Sequence, residues 1–140
     1  MDAGNFNSLH ENLAKNIEEI KYNIRHSETL GSPDGVTMLE RTKYLFYSLI
    51  KSLIDIGQGI IVEKDFRIPL NRADIFISLA EHGIIMPSVV PGVKKAVIAL
   101  PKISSHGVSE IVLLVSESIA DLHKCLDSFA VYFQLKEKEK

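Results

Sequence analysis

The chain has 140 residues, 46% of them hydrophobic and 24% charged, with a formal charge of −2 and one cysteine. That length fits one domain with a real core, and the balance excludes a disordered chain. The near-neutral total demands no nucleic-acid partner, although totals say nothing of local basic patches, and a lone cysteine excludes an intrachain disulfide framework.

The opening "MDAGNFNSLHEN" lacks the basic-then-apolar order of a signal peptide. Apolar runs are broken by Asp55, Lys94 and Ser116, short of a membrane span. A soluble, cytoplasmic protein with no membrane partner is expected. Cys125, among Leu122, Leu126 and Phe129, reads as a core or interface thiol.

Apolar spacing is helical almost throughout. Phe6, Leu9, Leu13, Ile17, Ile20 and Ile24 step by threes and fours along one face of a first helix. "GSPDG" then stops it, with proline and two glycines marking a turn. A longer helix is predicted from about Asp34 to Val62. Its apolar residues form two arcs, Leu45, Leu49, Leu53, Ile56 and Ile60 on one side, Phe46, Ile50, Ile54 and Ile61 on the other. One neighbour needs an apolar arc of only about 100°. This helix is therefore central, or faces both its own core and another subunit. Gly57 and Gly59 inside it each cost roughly 1 kcal/mol relative to alanine and suggest close helix approach. Arg41, Tyr44, Ser48, Lys51, Asp55 and Gln58 form its polar edge, which is either a solvated face or a cleft.

"EKDFRIPLN" is a connector in which Asn71 is placed to cap the next helix. "NRADIFISLAEHG" is that short third helix, with Gly83 past its end. A fourth starts near Pro91 and carries Val93, Ala96, Val97 and Leu100. The last runs from about Ser109 to Leu135, ahead of a charged tail. No stretch alternates with period two. The expected fold is all-α, an up-and-down helical bundle of four to five helices, with residues 1–135 as one domain and 136–140 as tail.

Chemistry is harder to place. There is no Gly-rich phosphate loop and no pair of histidines three or four apart, so neither cofactor nor metal is expected. The odd stretch is "ALPKISSHGVSE", where Pro101 interrupts a helical run and His106 precedes Gly107. In a purely structural reading, Ser104 and Ser105 fray one helix, Gly107 turns and Ser109 caps the next.

The span Leu39 to Ile85 resembles the HepT-like proteins of the HEPN superfamily. The match lies in Glu40, Arg41 and Leu45, then Asp55-Ile56-Gly57 and Ile60-Ile61. It continues through Pro69, Asp74, Phe76, Leu79-Ala80-Glu81, Gly83 and Ile85, and more weakly to residue 135. The resemblance implies a HepT-like bundle, a homodimer through the long second helix and the His106 region, and the toxin half of a toxin–antitoxin pair. The partner it implies is a nucleotidyltransferase antitoxin. It also implies a metal-independent ribonuclease acting on RNA through an Arg-to-His motif, often followed by tyrosine.

Setting the motif histidine on His106 puts Pro101 at the arginine, Lys102 at the asparagine and Val108 at the tyrosine. Such cleavage needs proton transfer, which an imidazole supplies near neutrality. It also needs positive charge at the phosphate, which an arginine fork supplies. Pro101 offers neither charge nor donor, and it ends or kinks the helix that would aim the histidine. The expectation is a degenerate site. Two alternatives stay open: an active ribonuclease pairing His106 with Lys102 or Arg41, and a non-enzymatic structural or regulatory dimer.

Overall fold

The computed structural model describes residues 1–139; Lys140, the last residue of the expected tail, lies outside the described residues. Its α-helices are α1 (Ala3–Arg25), α2 (Ser27–Leu30), α3 (Val36–Glu63), α4 (Arg72–Glu81), α5 (Val90–Ala99) and α6 (Val108–Lys138). The fold is an all-α bundle. The expected stop at "GSPDG" is a more structured corner, the single turn α2 followed by a 3-10 turn at Pro33–Gly35.

α3 is the central rod, packed by α1, α4 and α6. Both of its apolar arcs are buried inside this one chain, Leu49, Leu53 and Ile60 on one side and Phe46 and Ile50 on the other. α3 with its leading turn is also the one helix among the described residues long and apolar enough to cross a membrane. Asp55 therefore does not break the run as the sequence suggested. The apolar side chains are instead covered by neighbouring helices, the usual fate of a bundle's core helix.

α1 lies along α3 and α6. Phe6 stacks on Phe133 with ring centroids 4.4 Å apart, and Asn23 Nδ2 donates to Thr42 Oγ1 at 2.9 Å in the buried α1–α3 seam. Cys125 is fully buried, so it is a core thiol, and burial pushes its pKa far above the ordinary thiol range.

The two glycines of α3 differ. A Cβ on Gly57 would lie 2.9 Å from Ile75 Cγ2 and 3.1 Å from Leu79 Cδ1, so this glycine lets α4 approach closely. A Cβ on Gly59 would meet nothing within 4 Å, which corrects the expectation of close approach there. α3 and α4 finish alike. Asp65 (φ 54°) and Gly83 (φ 72°) turn left-handed, and the next amide reaches back to the last helical turn, Phe66 to Ile61 and Ile84 to Leu79.

Asn71 caps α4 as expected, accepting from the Asp74 amide at 2.8 Å. The connector before it is held by Arg67, which grips Asp74 with two hydrogen bonds of 2.6 and 2.9 Å and reaches Glu81 at 3.3 Å. α6 does not start at a Ser109 cap. Gly107 is its N-cap, and the Gly107 amide donates to Glu110 Oε1 at 3.0 Å. At its other end α6 runs on through Lys138, into what the sequence suggested was tail.

Candidate functional site

The segment between α5 and α6 carries Pro101, Lys102 and His106, which the resemblance singled out. α5 ends at Ala99, and Leu100–Ser105 continues as a 3-10 helix to an extended His106 (φ −70°, ψ 136°). Pro101 thus sits in the first turn of a new, tighter helix rather than inside an α-helix. Proline is well tolerated in the first turn of a helix.

His106 is half-buried, and its Nδ1 is enclosed without a hydrogen-bond partner. Its backbone is held by a residue that the sequence alone did not single out. Lys43 on α3 is only 6% exposed, and its ammonium donates to the carbonyls of Ser104 at 2.8 Å and His106 at 3.0 Å. A third bond, to Glu40 Oε1 at 3.2 Å, balances the charge. The ammonium stands where the short helix leaves its carbonyls unpaired, which is where a cation is favourable. A signal for it existed. Lys43 is three residues before Phe46 and seven before Ile50, a basic residue on the buried row.

The two proposed partners of His106 fare differently. Arg41 is engaged elsewhere: its guanidinium forms two hydrogen bonds to Glu19 on α1, one of them at 3.0 Å. That pairing holds the Glu19 carboxyl below its usual range, mainly through the hydrogen bond. Lys102 is exposed at the last turn of the 3-10 helix, and its carbonyl accepts from Ser105 Oγ at 2.8 Å. Lys102 makes no ion pair among the described residues.

Two cavities flank the segment. Pro101 borders a groove of about 550 Å³ between α4 and α5. The carbonyl of His106 is tied through Lys43 to another of about 180 Å³, lined by Glu40, Tyr44, Tyr47, Ile103 and Ser104. Pro101 therefore borders one groove, and Ile103 and Ser104 of the same segment border another. Among the described residues no three His, Cys, Asp or Glu side chains are arranged to hold a metal.

No protein-family model matches the chain, and no curated protein matches it. Solved structures do. A chain of a toxin–antitoxin crystal structure with AMP-PNP aligns with TM-score 0.60 at 21% identity, over 85% of this chain and 97% of that one. A mutant of the toxin–antitoxin MntA-HpeT aligns with TM-score 0.61 at 21% identity, over 85% and 98%. YutE from Bacillus subtilis, a cytosolic protein of unknown function, aligns with TM-score 0.65 at 16% identity, over 90% and 91%. The chain shares the all-α fold of these structures.

Proposed function

We propose that the chain is the toxin-type component of a toxin–antitoxin pair, working in the cytoplasm beside a nucleotidyltransferase antitoxin. The observation that carries this reading is one of extent. The bundle spans nearly the whole of two chains from toxin–antitoxin structures, 97% and 98% of their lengths. His106 closes the segment between α5 and α6, where the family motif would end.

Its metal-independent ribonuclease activity is weak or absent. Pro101 replaces the arginine that would hold the scissile phosphate, and Arg41 is already paired with Glu19. Val108 offers no hydroxyl to a nucleotide-transferring partner. A homodimer forms on the face where α3 meets the 3-10 segment. Tyr44 and Tyr47 support this, 66% and 42% exposed beside Ile103. Aromatic anchors of this kind are enriched at interfaces. In a two-fold dimer both His106 side chains approach one cleft.

The experiment is Pro101→Arg, alone and with Lys102→Asn, scored for growth arrest in cells and for RNA cleavage by purified protein. The expected result is a gain of either, with the dimer retained. At its 3-10 position Pro101 costs little, so the substitution changes stability by much less than the ~3 kcal/mol of a mid-helix proline. A well-folded, inert double variant would assign the chain to a non-enzymatic dimer. Wild-type protein that cuts RNA without metal, and stops when His106→Ala is made, would instead revive an active site built on Lys102 or Arg41.

A further inference from the structure

The α4–α5 seam has the form of a docking site. Its floor is apolar and open, with Leu70 88% and Ile98 62% exposed beside Ile77 and Pro101. A second groove of about 380 Å³, lined by Ala80, Val90 and Pro91, joins it at Ile77 and prolongs it along the same two helices. α4 has ten residues, so the seam runs about 15 Å, the length of two to three turns of a bound helix.

The unpaired charges beside this floor are of one sign. Arg72 and Lys94 border the groove, and neither pairs with a carboxylate among the described residues. The acid in the same groove, Asp74, is neutralised by two hydrogen bonds from Arg67, which also holds Glu81 at the far end. Most other cations here have a partner: Lys43 has Glu40, Lys51 has Asp55 and Lys95 has Glu117. Two unpaired cations over an apolar floor are complementary to an apolar segment that carries carboxylates.

We infer that this seam binds an amphipathic helix of a partner protein. Its apolar side chains, at helical spacing, lie over Ile77 and Ile98, and one or two Asp or Glu residues meet Arg72 and Lys94. A second copy of this chain fits less well. A two-fold contact centred on the seam sets Lys94 toward its twin, and like charges facing each other disfavour the pairing. The inference rests on the toxin-type reading only for there being a protein partner.

A random peptide display library selected on the purified full chain tests it. The wild type should enrich peptides with Leu, Ile or Phe at helical spacing beside Asp or Glu. An enriched synthetic peptide should lose about tenfold or more in affinity for Arg72→Glu/Lys94→Glu. Both sites are exposed, and a glutamate in the first turn of α4 is favourable, so the double variant folds. Ile98→Glu should abolish binding without touching the charges. Amide shifts in the wild type should cluster on Leu70, Ile77 and Ile98.

Peptides that ignore the charge reversal, shifts on the Tyr44–Tyr47 face, or no enrichment would each overturn the inference. So would sedimentation showing that Arg72 and Lys94 control self-association, which would make the occupant a second copy. Absence of toxicity in the Pro101 variants sinks the toxin reading and leaves these selections unchanged.

Discussion

Gly57 is set by what lies opposite it. The Cβ of Gly57→Ala must displace Ile75 and Leu79, so overpacking should destabilise the chain by ~1–3 kcal/mol. Two residues on, Gly59→Ala enters open space in a helix interior and should stabilise by up to ~1 kcal/mol. Urea melts of the pair check both signs; a shared sign would show that packing is not what separates them. Lys43→Met should cost ~1–3 kcal/mol, because the carbonyls of Ser104 and His106 lose their donor. Hydrogen exchange in residues 100–106 should rise in that variant while α1 stays protected. Exchange that rises evenly through the bundle would make Lys43 a general core residue rather than the anchor of the His106 segment.

α4 depends on a carboxylate at its first turn. The Arg67 guanidinium holds Asp74 at a pKa of about 2, against an ordinary value of 3.8, helped by the Leu70 amide. A depressed folded-state pKa adds stability that is fully present above about pH 4 and lost as pH falls toward 2. Acid unfolding followed by circular dichroism should therefore steepen in that window, and Arg67→Gln should flatten it. An unchanged profile would exclude the clamp as the source. Local signals made much of this element legible: Asn71 caps it and Gly83 ends it, each acting within a few residues of itself. The Arg67 grip was not legible, because nothing in "DFRIPLN" says which acid the arginine will find. The start of α6 was misread for a related reason. Ser109 is the better capping residue by type, but Glu110 reaches back to the Gly107 amide and fixes the start there.

For the whole molecule, the apolar breadth of α3 had two explanations, and periodicity alone cannot choose between them. The fold supplies one: α1, α4 and α6 cover both arcs, so neither arc of α3 is left over for a partner. A dimer of the proposed kind would instead use the exposed Tyr44 and Tyr47, beside the buried Ile103. Sedimentation at micromolar concentration should give a dimer, and Tyr44→Glu should weaken it by about tenfold or more without unfolding the bundle. A clean wild-type monomer would remove that interface. The candidate site was legible in part. His106 stands out because histidine beside glycine interrupts a helical pattern. That Arg41 pairs with Glu19 is a matter of which partner a side chain finds across helices, and spacing carries no such information.

The pairing of Lys136 has a use in protein engineering. Its ammonium bonds Glu63 at 3.0 Å and the carbonyl of Met1 at 3.2 Å, so the first residue and the last turn of α6 share one pole of the bundle. A short Gly/Ser linker spans such a gap. The chain can then be rewired, with Met1 joined to the end of α6 and new termini opened at the exposed Pro33–Asp34 corner. α3 would begin the permuted chain and α1 would come after α6, with every buried contact kept. Such a permutant would carry its fusion partner at the α2–α3 corner, away from the α1–α6 pole where a tag on Met1 or on the end of α6 must sit.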